Sequence, residues 1–241
     1  MDQKKTVIVT GASQGIGAEV VKSFLKRGYN VVANSRRIVE SKAFEKSNQL
    51  ELVDGDIGQF DTAQRIVAAA LNKFGRIDAL VNNAGIFIVK PFVDYTQDDF
   101  KNLLSTNVEG FLYITQLSVA QMLRQKTGGS VVSITTSLAE HPIAGMPAAV
   151  PMITKGGLNA VSLSLAMEYA KEGVRVNVVA PGIVDTPLHK DNPKDFLKTL
   201  SPMGTISQAK ELADAVLFLT ESPTITGEIL HVDGGSHVGR W

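Results

Sequence analysis

Short runs rich in valine and isoleucine alternate with longer amphipathic stretches along nearly the whole chain, and this alternation limits the possible folds more than any other feature. The apolar runs cover residues 6–10, 30–34, 50–53, 79–82, 130–135, 175–179 and 229–232. They are too short for buried helices, and their nearly continuous apolar character suits parallel strands covered on both faces. The intervening stretches predict helices over residues 15–27, 61–74, 97–124, 151–171 and 208–220. Strands that alternate with helices in this way form a doubly wound, mostly parallel, seven-stranded sheet with helices on both faces and right-handed crossovers. Ligands then bind beyond the carboxyl ends of the strands. The chain of 241 residues is long enough for one such domain. It contains no linker, internal repeat or low-complexity tract.

Composition removes several function classes. Lys and Arg number 24, as do Asp and Glu, so there is no broad basic surface for nucleic acid. The absence of cysteine excludes disulfides and thiolate metal sites. No apolar run approaches the ~18 residues of a membrane span. The first residues lead directly into the first apolar run, so no signal peptide can be read. The expectation is a soluble, cytoplasmic protein.

The segment Thr10-Gly11-Ala12-Ser13-Gln14-Gly15-Ile16-Gly17 joins the first strand to the first helix. Glycines at such a turn let backbone approach a pyrophosphate at a helix N-terminus. Taken alone, the turn would also fit a tight strand–helix connection with no ligand. Further along come Asn82-Asn83-Ala84-Gly85, Gly55-Asp56-Ile57, Ser105-Thr106-Asn107, Val176-Asn177-Val178-Val179-Ala180-Pro181-Gly182, Asp185-Thr186-Pro187 and Val232-Asp233-Gly234-Gly235. In this order and spacing, over essentially the whole chain, these segments resemble the short-chain dehydrogenase/reductase family. The resemblance implies a single Rossmann-type domain over residues 1–241, with a substrate lid near residues 183–202.

It also implies a nicotinamide cofactor held by Gly11, Ser13, Gln14, Gly15, Ile16, Gly17, Asp56, Ile57, Asn83, Ala84, Gly85, Lys155, Pro181, Gly182, Ile183 and Thr186. Asp56 matches the acidic residue that meets adenine. An acid at the end of the second strand would hold the ribose 2′-OH of NAD. The matching position here is Ser35, followed by Arg36 and Arg37. A hydroxyl followed by guanidinium groups suits a 2′-phosphate, so the expected cofactor is NADP(H). The alternative is that Arg36 and Arg37 are solvated surface charges. No metal is implied.

The family's chemistry uses a serine, a tyrosine, a lysine and a helix asparagine. Ser137, Lys155 and Asn107 match three of these: Ser137 to steady the substrate oxygen, Lys155 to bind the nicotinamide ribose, and Asn107 to hold a relay water. The tyrosine position is occupied by Pro151, which has neither an O–H nor an N–H to donate. Proline is tolerated in the first turn of a helix, so Pro151 is expected to begin the helix that carries Lys155. Tyr113 and Tyr169 are too far along their helices to replace the phenol and read as packing or surface residues.

Three sources of the proton remain open: His141, four residues past Ser137; His189, in the lid and the weaker of the two; and water held by Asn107 and Lys155. The segments 86–92, 138–150 and 183–202 are expected to line a largely apolar pocket, through Phe87, Ile88, Ile143, Met146, Val150, Met152, Leu188 and Phe196. The same side chains would equally serve as core or interface. The expectation is hydride transfer between NADPH and a small carbonyl, quinone, imine or enone compound in a homotetramer or homodimer. Long helices and the last strand, residues 229–232, would supply the interfaces. The alternative is a catalytically silent NADP(H)-binding sensor or inactive partner subunit.

Overall fold

The computed structural model describes residues 4–239; residues 1–3, on which the signal-peptide expectation falls, and residues 240–241 lie outside it. Seven strands form one parallel sheet: β1 (Thr6–Val9), β2 (Asn30–Ser35), β3 (Leu50–Asp54), β4 (Ala79–Asn82), β5 (Gly129–Ile134), β6 (Val174–Pro181) and, at one edge, the last strand Ile229–Val232. Two short strands, β7 (Val184–Asp185) and β8 (Ser207–Gln208), pair beside the sheet, so the edge strand Ile229–Val232 is β9. Strand order is β3-β2-β1-β4-β5-β6-β9. The order reverses between β1 and β4, and a crevice opens at their carboxyl ends.

Side chains alternate across the sheet as the two-residue strand period requires. Val7, Val9, Val31, Ala33, Val81 and Val132 face a core closed by α1 (Gly15–Lys26) and α7 (Ala209–Glu221). Ile8, Val32, Leu80 and Val131 face the opposite core, against α2 (Phe60–Phe74), α4 (Gly110–Gln125) and α5 (Ala149–Glu168). Each fully buried Val, Ile or Leu contributes about 1.5–3 kcal/mol relative to exposure. Double-sided burial therefore explains why the strands read as continuous apolar runs.

The helix boundaries differ from expectation in two informative places. The predicted helix over 97–124 is α3 (Gln97–Leu103), a π-helical turn Leu104–Glu109, and then α4. Thr96 caps α3 by accepting from the Asp99 N–H at 3.1 Å. The predicted helix over 151–171 begins earlier, at Ala149, and ends at Glu168 before a short 3-10 turn. Pro151 is thus the third residue of α5 rather than the first. The first helical hydrogen bond runs from the Met152 N–H to the Ala148 carbonyl, so the missing N–H of Pro151 falls among the groups that have no helical partner anyway. The segment 183–202, expected to form a lid, contains β7, a 3-10 turn Pro187–His189 and the short helix α6 (Lys194–Lys198), none of which its charged, proline-containing sequence signals.

Candidate active site

The glycine turn is shaped from the inside by two polar side chains. The Thr10 hydroxyl accepts from the Asn83 and Ala84 N–H groups at 3.2 and 3.1 Å. The Asn83 amide donates to the Thr10 and Gly11 carbonyls, both at 3.0 Å. Two glycines are required for this closeness. Gly11 has φ +63° and a side chain there would sit 2.7 Å from the Ala84 Cα. A side chain at Gly17 would collide with the Gly11 carbonyl and the Asn83 amide. The residue before α1, Gln14, is exposed and makes no side-chain cap. The first N–H groups of α1 thus receive no bond from the N-cap side chain, an arrangement suited to a phosphate. Ser13 and Ile16 flank the turn, partly exposed, and Thr186 comes within 3.3 Å of where a Gly15 side chain would be.

Ser35 ends β2 in register with Asp54, and Arg36 and Arg37 follow, both exposed. The Asp54 carboxylate is engaged with the Val39 N–H at 3.0 Å, and Arg37 lies 3.9 Å from Glu40. Asp56 is exposed and accepts from the Gly58 N–H, while Ile57 is buried against Gly110. At the far side, Pro181 ends β6 and the Gly182 N–H donates to the Val232 carbonyl at 3.1 Å, with partly buried Ile183 following.

Lys155 is buried on α5, and its Nζ donates to the Ile134 carbonyl at 2.9 Å. Desolvation brings the ammonium down to about 8, so it titrates near neutral pH. Gly85 lies directly against it: a side chain there would be 2.9 Å from Lys155 Nζ and 3.3 Å from Asn107 Oδ1. Asn107 is buried in the π-helical turn, a distortion often found at functional sites. Its Oδ1 accepts from the Ile86 N–H at 2.8 Å, and its Nδ2 donates to the Ile86 carbonyl and the Thr154 hydroxyl, both at 3.0 Å. The Thr154 hydroxyl in turn donates to the Pro151 carbonyl at 2.9 Å. Asn107, Thr154 and Pro151 thus form one connected unit, and the role of Thr154 has no signal in the sequence. Ser137 is buried at the start of the 3-10 turn Ser137–Ala139, directly after β5.

No tyrosine takes the place vacated at residue 151. Tyr29 precedes β2 and donates to Glu221 at 3.4 Å. Tyr95 donates to the Ile88 carbonyl at 2.6 Å. Tyr113 packs edge-on against Phe60, with ring centroids 5.4 Å apart, and Tyr169 follows the last turn of α5. His141 is exposed and turns toward His231 and His237, with ring centroids 6.2 and 5.9 Å away. His189 ends the 3-10 turn Pro187–His189, 3.4 Å from Asn192.

An apolar cavity of about 260 Å³ lies beside this group, lined by Phe92, Leu138, Pro142, Ile143, Met146 and Met152 among others. Ser137 and Lys155 do not line it. Three of the expected pocket residues, Ile143, Met146 and Met152, do. Val150 belongs instead to the core at 5% exposure, because it faces inward from the first turn of α5. Leu188 and Phe196 are turned to solvent at 64% and 56% exposure, and Phe87 and Ile88 are partly buried outside the cavity.

Residues 11–237 match the sequence model described as enoyl-(acyl carrier protein) reductase. The chain is 35% identical over 232 residues to carbonyl reductase family member 4 of Xenopus laevis, covering 96% of this chain and 97% of that one. A structure of ElxO with NADP bound superposes with a TM-score of 0.90 at 28% identity, covering 98% of this chain and 100% of that one. So does 3-ketoacyl-(acyl-carrier-protein) reductase from Brucella melitensis complexed with NADH, at TM-score 0.90 and 30% identity, covering 97% and 98%. With the glycine turn, the Asn83 brace and the Lys155–Asn107 pair all in the expected order, the chain belongs to the short-chain dehydrogenase/reductase family of oxidoreductases.

Proposed function

We propose that the protein is an NADP(H)-dependent oxidoreductase that transfers hydride between NADPH and a small, largely apolar carbonyl, quinone, imine or enone compound, with a proton source other than tyrosine. The observation that carries this reading is the desolvated Lys155 held under Gly85, at the mouth of a crevice whose glycine turn is intact. The uncapped start of α1 fits a pyrophosphate, and Gly85 leaves room for a ribose to reach Lys155. Ser35 with Arg36, and Arg37 beside them, fits a 2′-phosphate, and the NADP complex of ElxO agrees with that choice. The bound dinucleotide supplies the hydride.

The chain's own residues supply position and a proton. Ser137 presents a hydroxyl to the substrate oxygen. Lys155 is protonated below about pH 8 and can release its proton to the developing alkoxide directly or through water. Asn107 fixes Ile86 and Thr154, and with Lys155 it frames the place for that water. His141 is the alternative donor. The cavity bounded by Leu138 and Met152 suits an apolar substrate body, and the segment 183–202 acts as its lid. We further place the protein in the cytoplasm as a homotetramer or homodimer. No helix among the described residues is long and apolar enough to cross a membrane. Exposed Leu163 and Met167 on α5 support self-association.

A second reading, a catalytically silent NADP(H)-binding sensor or inactive partner subunit, is favoured by Pro151 alone. The test is NADPH consumption by the purified protein from pH 5 to 9 with ketones, aldehydes, quinones, cyclic imines and enones. Acceptor-dependent turnover that is lost in Lys155→Met and kept in His141→Gln supports the main reading. Turnover lost in His141→Gln moves the proton to the imidazole. No turnover in a sample that binds NADPH leaves the silent reading.

A further inference from the structure

Three of the four histidines in the chain converge at one corner of the sheet. His141 follows the turn after Ser137, His231 lies in β9, and His237 follows that strand. One ligand atom each from Glu140, His141 and His231 lie within 4.8 Å of one another. Glu140 is held from below: its Oε1 accepts from the Asn159 Nδ2 of α5 at 3.0 Å. Its Oε2 lies 3.5 Å from the His231 Nε2. That nitrogen is buried and makes no hydrogen bond, a state that is unfavourable unless something else engages it. His231 is held by stacking on His237, with ring centroids 3.9 Å apart at 15°. The His237 Nδ1 lies 3.0 Å from both oxygens of buried Asp233. Glu140 and His141 are exposed, so an ion has a way in and both side chains can close around it.

Two imidazoles and one carboxylate suit a borderline-soft divalent ion, which takes nitrogen and oxygen ligands at about 2.0–2.2 Å. Magnesium and calcium ask instead for oxygen ligands. We propose that Glu140, His141 and His231 form a binding site for a divalent transition-metal ion of the zinc class. The ion ties the segment following Ser137 to the edge strand β9 and, through Asn159, to α5. The dinucleotide crevice does not take part; the one residue shared with the functional reading above is His141, which a bound ion would withdraw from the role of alternative donor.

The full-length protein, stripped with a chelator, is titrated with zinc by calorimetry and followed by thermal unfolding, with magnesium as comparator. The expected result is one zinc per chain, a rise in Tm on loading and no comparable effect of magnesium. His141→Gln and His231→Gln are each expected to weaken zinc binding roughly tenfold or more. His189→Gln, the histidine outside the cluster, is expected to leave it unchanged. Circular dichroism of the metal-free variants verifies the fold, and the exposed position of His141 keeps that variant informative if His231→Gln is unstable. Absence of stoichiometric zinc uptake, wild-type affinity in both variants, or magnesium binding as tight as zinc overturns the proposal.

Discussion

Lys155 and Pro151 stand one helical turn apart on α5, and their chemistry is opposite: one can carry a proton, the other cannot. Burial alone lowers Lys155 from its ordinary 10.5 to about 8. Below about pH 8 the folded state therefore bears the full cost of a desolvated cation. Between about 8 and 10.5 the unfolded chain binds more protons than the folded one, so stability rises with pH. Lys155→Met removes that cost and should raise stability by about 2 kcal/mol at pH 7, after allowing for the Ile134 carbonyl left unpaired. Urea unfolding at pH 7 and pH 10 checks this, with the gap between variant and wild type expected to narrow at the higher pH. A gap that stays constant or widens would mean that Lys155 is not the strained cation described. Pro151→Tyr returns a phenol to the first turn of α5, where no helical N–H bond is needed. It should raise ketone reduction roughly 10²-fold or more, the usual worth of a positioned acid; an unchanged rate in a folded, NADPH-binding variant would show a pocket that no longer presents its substrate to that position.

Among the elements, the β1–α1 turn depends most on single atoms. Gly17→Ala places a methyl group against the Gly11 carbonyl and the Asn83 amide, with backbone on one side that cannot yield. A loss of about 2 kcal/mol or more in urea unfolding, together with weaker NADPH binding, is expected; a stable variant with normal affinity would contradict the packing. This turn was legible in the sequence because its glycines fall at a strand–helix junction and the later segments, from Asn82-Asn83-Ala84-Gly85 onward, follow it in order. The seven strands were legible for a similar reason, since double-sided burial leaves long apolar runs such as Val31-Val32-Ala33. The π-helical turn at Asn107 was not, because its cause is tertiary: the amide bonds Ile86 and Thr154, residues 21 and 47 positions away. Val150 and Leu188 read alike as pocket walls, yet one faces the core and the other water. Hydrophobicity in a connecting segment does not encode direction. The partners of His141 were hidden for a related reason, as His231 and His237 reach it only through the placement of β9 beside β6.

At the scale of the whole molecule, α1 and α7 close one face of the sheet, and Arg27 joins them through a two-point contact with Glu221. The opposite layer leaves Leu163 and Met167, one turn apart on α5, at 41% and 80% exposure. In the proposed homo-oligomer these are interface residues. Leu163→Asp with Met167→Asp should lower the mass measured by light scattering to that of a smaller assembly, and an unchanged mass would place the interface elsewhere. The sheet, the turn and the end of β2 together make one claim that can be read without knowing any substrate: the crevice selects a dinucleotide carrying a 2′-phosphate. The most direct measurement is a fluorescence titration of the purified protein with NADPH and with NADH, repeated on Ser35→Asp. NADPH is expected to bind roughly tenfold tighter or more in the wild type, with the preference lost or reversed once a carboxylate stands at residue 35. Equal affinity for the two dinucleotides, or a preference that Ser35→Asp leaves untouched, would contradict it.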